Sequence, residues 1–446
     1  MQNSQTAKTN NEWKSYSLGE LGEYLNGRAF KSTDWKKTGI PIIRIQNLNN
    51  HQAPFNYSSE VFEDRYRVEN EELLVSWSAS LGAYIWDRGS GWLNQHIFKV
   101  IPNEKVVEKR LLYYAIKNII RELYAQAHGS GMVHVTKPVF EAQVVMIPED
   151  KRLQLNLVSR FDDMLESVDI SINKIQKAKR LIQKFRQSVL SAAVTGKLTE
   201  EWREKNQNYK SSEEILNQIK EQRLVAGSNK NKLQDIYTHT EQNDNDQLPE
   251  KWSYVSLDKL CNSFSYGTSA KSQTEGKVPV LRMGNLQRGE IDWNSLVYTS
   301  DAKEIEKYTL KSGDVLFNRT NSPELVGKTS IYRGERPAIY AGYLIKINNY
   351  SQLDSEYLNY CLNSGYANNY CYQVKSDGVS QSNINAQKLG KFEVPFCSIE
   401  EQQEIVKKVK SMFEVADLLE KQIEIAGKKT DKLTQSILAK AFRGEL

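Results

Sequence analysis

Ten positions separated alternately by four and three residues run along one stretch of the chain: Leu157, Phe161, Met164, Val168, Ser171, Ile175, Ala178, Ile182, Phe185 and Val189. That alternation is the pattern of a helix whose apolar seam meets a second helix. The same seam returns in the second half as Ile405, Val409, Met412, Ala416, Leu419, Ile423, Ala426, Thr430, Leu433 and Ile437. Each copy has one polar member, Ser171 and Thr430. One short stripe would be read as an amphipathic helix lying on its own domain. Two stripes of equal length and spacing predict helix against helix, each a rod of about 50 Å at ~1.5 Å per residue. The economical partner for each helix is the other. The intervening chain is long enough for either orientation. An antiparallel pair sets one globular domain at each end and relates the halves by a pseudo-two-fold axis, so an antiparallel coiled coil is expected.

Ahead of each seam the pattern changes. Short runs such as PIIRI, ELLVSW, PVLRM, DVLFNR and YLIKI are rich in β-branched and aromatic residues and mostly bounded by Gly, Asn, Pro or Ser, which reads as strand. These segments repeat as well. NEWKSYSLGEL matches EKWSYVSLDKL, returning Trp13, Ser17, Leu18 and Leu21 as Trp252, Ser256, Leu257 and Leu260. IPIIRIQNLN matches VPVLRMGNLQ, returning Pro41, Arg44, Asn47 and Leu48 as Pro279, Arg282, Asn285 and Leu286. Lys99 returns as Lys346, Gly131 as Gly378 and Pro148 as Pro395. QSVLSAAVTGKL, after the first seam, matches QSILAKAFRGEL, with Gly196 and Gly444 suited to helix stops. The chain therefore divides into a disordered N-terminus (1–11), a mixed domain (12–150), a helical spacer (151–199), a polar connector (200–248), a second mixed domain (249–397) and a second spacer (398–446). The fold class is α+β: two pseudo-repeated α/β domains separated by two long helices. The connector, poor in apolar residues, reads as partly helical and then flexible.

Composition narrows the function. Of 446 residues, 60 are Lys or Arg and 55 Asp or Glu, a net charge of +5 that weakly favours a nucleic-acid partner. No apolar run reaches the ~18 residues of a membrane span, and the N-terminus lacks the apolar core of a signal peptide. Cys261, Cys361, Cys371 and Cys397 form no C-x-x-C pair, so a reducing cytoplasm is expected. Several chemistries lack their motifs. SPELVGKT at 322–329 ends like a phosphate loop but has Ser322 where the first glycine should stand, and SIYRG rather than a helix follows. The ten prolines are never adjacent, which removes the Pro-Pro motif of DNA amino-methyltransferases. Glu149-Asp150-Lys151 lacks the preceding Pro-Asp of a common nuclease. The five histidines show no metal spacing. Catalysis by this chain is not expected, and neither a metal nor a cofactor of its own.

The loops that differ between matched halves are the candidate DNA contacts. FNRTNSPELVGKT offers Asn318, Arg319, Thr320, Asn321 and Ser322, where arginine suits guanine or phosphate and asparagine suits adenine. The opposing VSWSASLGAY offers Ser76, Trp77, Ser78 and Ser80 instead. A second set is His134, Thr136 and Lys137 against Ser380, Gln381, Asn383 and Asn385, and His96 lies in a further candidate loop. Arg44 with Asn47, and Arg282 with Asn285, form a third set, although a repeated Arg and Asn beside a strand can equally fasten a turn.

The repeated W…S-L…L entry at Trp13 and Trp252, the R-x-x-N-L exit at Arg44–Leu48 and Arg282–Leu286, and the Q-S-[VI]-L…G-x-L helix ends together resemble the specificity subunit of type I restriction–modification systems, from about Glu12 to Leu446. The resemblance implies two target-recognition domains, each reading half of a split, asymmetric double-stranded DNA site. It implies that the helices fix the spacer and dock two modification subunits, and that restriction subunits join them. S-adenosylmethionine, ATP and Mg would belong to those partners. Pro138 and Phe140 stand opposite Asn385 and Gln387, which puts equivalent contacts there in doubt. The alternatives are a specificity subunit serving a fused, type II-like restriction–modification enzyme and a coiled-coil scaffold that binds no DNA.

Overall fold

The computed structural model describes residues 13–78, 80–126, 135–225, 248–379 and 381–442. The chain forms two compact units, Met1–Lys177 with Ile423–Leu446, and Ala178–Gln422. The proposed disordered segment 1–11, Gly444 and residues 226–247 of the connector lie outside the described residues.

Each unit is closed by its own ends. In the first, Trp13–Ser17 pairs antiparallel with Val144–Pro148, Trp13 opposite Pro148. In the second, Ser253–Ser256 pairs in the same way with Glu393–Phe396. A single helical turn follows each entry strand, Leu18–Leu21 and Leu257–Leu260. In the first unit Ser17 and Glu20 form a reciprocal cap, the Ser17 N–H donating to Glu20 Oε2 at 2.7 Å.

The turn leads into a four-stranded antiparallel sheet. Its order in the first unit is Gly22–Asn26, Ile97–Pro102, Leu73–Ser76, Gly82–Ile85. The second unit repeats it with Cys261–Tyr266, Leu344–Asn349, Asp314–Asn318 and Thr329–Tyr332. The repeated lysine makes a half-buried ion pair on this sheet in each unit: Lys99 Nζ lies 2.7 Å from Glu72 and Lys346 Nζ 3.4 Å from Asp314. A second, mixed sheet is also duplicated. Ile40–Ile43 lies between antiparallel Asn56–Ser58 and parallel Gly91–Leu93, and Val278–Leu281 between Val297–Thr299 and Ile339–Tyr340.

Each domain is seated on its long helix by a buried glutamine absent from the seam pattern. Gln154 accepts from the Glu108 N–H at 2.8 Å and donates to the Val106 and Pro148 carbonyls. Gln402 accepts from the Asp354 N–H at 2.7 Å and donates to the Gln352 and Cys397 carbonyls. In both, the amide oxygen accepts and both amide hydrogens donate within the fold, which makes the junction specific as well as apolar.

The long helices span Lys151–Val194 and Ile399–Ala441 and run antiparallel. In the first unit Leu157, Phe161 and Val168 share a core with Ile437, Leu438 and Phe442, the Phe161 and Phe442 rings 5.8 Å apart. In the second, Val189, Leu190 and Ala193 share a core with Ile405 and Val409. There Arg186 also bridges Asp417 and Glu420. The seam is not sealed throughout: Phe185, Leu419 and Leu433 are 42%, 51% and 53% exposed. Toward its C-terminal end the buried face of the first helix widens to Leu190 and Val194, because there it also packs into the core of the second unit.

The first helix stops at Val194, and Gly196 adopts φ +73°. A Cβ at that position would come within 2.5 Å of Pro249, so glycine is required for both conformation and space. The chain after it is less of a tether than its polarity implies. Glu200–Lys205 and Ser212–Val225 are helical, and Ile215 and Ile219 are buried in the core of the second unit. Arg223 is also buried, donating to the carbonyls of Asp258 and Cys261.

Candidate nucleic-acid interface

The same rim is built in both units where the four-stranded sheet ends. In the second unit the Arg319 N–H donates to the Tyr343 carbonyl at 3.0 Å, and the Ile384 N–H donates to the Arg319 carbonyl at 2.9 Å. In the first, the Trp77 N–H donates to the His96 carbonyl at 3.3 Å, and the Val135 N–H donates to the Trp77 carbonyl at 3.2 Å. Trp77 and Arg319, His96 and Tyr343, and Val135 and Ile384 are therefore equivalent positions. Glycines at the edge strand permit this convergence: a Cβ on Gly27 would lie 2.2 Å from the Asn94 carbonyl oxygen, and one on Gly267 2.2 Å from that of Tyr340.

This frame corrects the register read from the sequence after residue 129. Thr136 and Asn385 are equivalent, each the N-cap of a short helix (Lys137–Glu141 and Ala386–Gly390). Pro138 stands opposite Gln387, and Phe140 opposite Leu389, both buried apolar side chains. Asn385 Oδ1 accepts the Lys388 N–H at 2.8 Å, so this asparagine is occupied as a cap.

On the rim of the second unit, residues far apart in sequence meet. Thr320–Asn321 pairs with Ser382–Asn383, and the Asn383 amide donates to Thr320 Oγ1 at 2.8 Å. The Arg319 guanidinium lies 4.8 Å above the Tyr266 ring. Tyr266 and Tyr343 are 41% and 52% exposed. Ser322 is half-buried, Gln381 is exposed, and the Ser322 N–H donates to Asn321 Oδ1. Hydrogen bonds from Lys375 and then Ser382 hold the Asp377 carboxyl below its ordinary range, so the acid on this rim is already paired.

In the first unit Trp77 is stacked on Phe98 with its edge toward His96, ring centroids 5.7 and 5.3 Å away. Ser80 is half-buried, and Thr136 is exposed. Lys137 faces Glu141 at 3.5 Å. His134 and Ser380 lie outside the described residues.

Five predicted contacts are corrected. Asn47 is buried, with Oδ1 accepting the Arg44 N–H at 3.0 Å and the amide donating to the Ala53 and Pro54 carbonyls. Asn285 repeats this arrangement with the Arg282 N–H and the Asp292 and Asn294 carbonyls. Both fasten a turn and have no surface to offer a base. Ser76 and Asn318 end equivalent sheet strands with their side chains turned inward. Ser76 donates to the Ser80 carbonyl, and Asn318 Oδ1 accepts the Thr320 N–H. Ser78 is buried as well. Arg44 and Arg282 remain at the surface of the second sheet, bonded to Asn56 and to the Ser295 carbonyl rather than gathered at the rim.

Sequence reading missed Tyr266 and Tyr343. Matching Lys99 to Lys346 places Tyr343 opposite His96, a usable signal; nothing local marks Tyr266. Among the described residues no group of His, Cys, Asp and Glu is placed to hold a metal ion, and no helix is long and apolar enough to cross a membrane. The four cysteines are free and buried.

Two copies of one frame, each packed against its part of the long helices and carrying different side chains at matched rim positions, define an internally duplicated protein. The sequence model of the type I restriction modification DNA specificity domain matches residues 10–180 and 249–426, and the chain belongs to that family. It is 27% identical over 445 residues to the type I restriction enzyme EcoBI specificity subunit of Escherichia coli, covering 97% of this chain and 86% of that one. To the EcoKI specificity subunit of Escherichia coli strain K12 it is 23% identical, covering 91% and 82%. A solved chain, described under complex assembly and conformational transition of the type I R-M system, shares the fold at TM-score 0.65 and 15% identity, covering 99% of this chain and all of that one.

Proposed function

We propose that this chain is the non-catalytic DNA reader of a type I restriction–modification complex, with each domain recognising one half of a bipartite, asymmetric site. The observation that carries the reading is the pair of equivalent rims. One backbone frame presents Trp77 and His96 in one unit but Arg319 and Tyr343 in the other, as two readers of different sequences require. The antiparallel helices set the spacer between half-sites. Their exposed apolar positions, Phe185, Leu419 and Leu433, suit the docking of two modification subunits. Those subunits would supply S-adenosylmethionine chemistry, and restriction subunits the ATP- and Mg-dependent steps, in the cytoplasm. The modest net charge of +5 fits a reader that need not hold DNA alone.

The test is selection from a random duplex library by the full chain co-produced with its modification subunit. A motif of two constant blocks around a fixed, unspecified spacer is the expected result. A stable complex that enriches no sequence would sink the proposal.

A further inference from the structure

We infer that Arg319 is the residue through which the second domain selects a guanine in its half-site; this rests on the DNA-reading function proposed above. Its backbone is pinned on both sides by the bonds to Tyr343 and Ile384. Its guanidinium is laid over Tyr266 at 4.8 Å, which holds a planar fork in one orientation. Nε is buried without a hydrogen-bond partner, whereas the terminal amino groups are not sealed off. No carboxylate among the described residues pairs with it. By contrast, Arg186, Arg288 and Arg333 in the same unit all pair with acids. A pre-oriented fork with no acceptor of its own matches the O6 and N7 acceptors that guanine presents in the major groove.

A phosphate is the other ligand for a guanidinium, and the surroundings argue against it. Phosphate sites gather main-chain N–H donors and several cations. Here the Arg319, Thr320 and Ser322 N–H groups are already bonded to Tyr343, Asn318 and Asn321. The neighbouring Lys375 and Lys388 are held by Asp377 and by the Val374 carbonyl with Ser376. The remaining rim groups, Thr320, Asn321, Asn383 and Tyr343, are neutral, so they add no second free cation beside Arg319. At the equivalent place in the first unit stands Trp77, stacked on Phe98 and carrying no such fork. The two domains therefore differ in base preference at one matched frame position.

The test compares wild-type, R319A and R319K chains, each co-produced with the modification subunit, in selection from random duplex DNA at fixed salt. Wild type is expected to show a guanine in one half-site that R319A loses, with discrimination at that position falling about tenfold to a hundredfold. R319K should keep most of the overall affinity while relaxing the same position. The other half-site and the spacer should be unchanged, which also reports that the variants are folded. The inference is overturned if R319A retains every preference. It is equally overturned if R319A weakens all sequences evenly, the signature of a phosphate contact. If wild type selects no bipartite motif, the failure is of the DNA-reading proposal itself.

Discussion

Replacing Glu401 by alanine should unlock the second unit. The Glu401 carboxylate is fully buried at the start of the second long helix. One oxygen accepts from Thr199 Oγ1 and Arg203 Nη1, each at 2.7 Å. The other accepts from Trp252 Nε1 at 2.8 Å. The cluster thus ties together the turn after the first helix, the connector, the entry of the second domain and the second helix. The matching position in the first helix is Leu153, so the first unit has no counterpart to this carboxylate. Removing it leaves the Arg203 charge, whose side chain is only 18% exposed, without a carboxylate and the buried Trp252 indole N–H without an acceptor. Breaking a buried ion pair from one side costs about 3–5 kcal/mol. For a unit of this size each kcal/mol lowers the midpoint by roughly 2–4 °C, giving a shift of roughly 6–20 °C. Thermal unfolding combined with amide exchange should locate the loss in residues 178–422. R203M with E401L should recover part of it, because no charge is then left unpaired, though the indole N–H still is. A midpoint within 2 °C of wild type for E401A, about the cost of an ordinary surface ion pair, would refute the reasoning.

Three further outcomes are expected. Asn285→Ala should cost about 1–3 kcal/mol by orphaning buried groups, yet leave the selected motif unaltered; a changed motif in a chain of unchanged stability would return Asn285 to the DNA contacts. Burial pushes the Glu356 carboxyl up, but Arg333 and then Lys410 outweigh it, so it titrates below its ordinary value of 4.5. A depressed folded value means that this stability is complete above about pH 4.5 and is lost as pH falls through the folded value. Glu356→Gln should therefore flatten the acid-side decline in urea midpoint, and an unchanged decline would show that the pair is not its source. Adding one heptad to each helix, within 157–189 and 405–437, lengthens the rod by about 10 Å. That should widen the selected spacer by about three base pairs at ~3.4 Å each without altering either half-site.

The duplicated plan, the long helices and the position of the variable loops are all legible in the amino-acid sequence. Helical seams and half-buried strands impose local periodicities, and the seven-residue spacing is readable in both copies because most seam positions carry apolar side chains. Glycine at 196 is legible for a similar reason, since its backbone conformation excludes other residues.

Which polar residues face outward was not legible. Asn318 and Arg319 are adjacent in sequence, yet one is buried at a strand end and the other lies half-buried on the rim over Tyr266. Asn47 and Asn285 look like base readers until the carbonyls they bind are located. Tyr266 and Asn383 join Arg319 from about 50 or more residues away along the chain. A linear pattern records what a residue can bond to. Only the tertiary structure decides which partners reach it first, because buried polar groups must be satisfied within the fold before any remain for DNA.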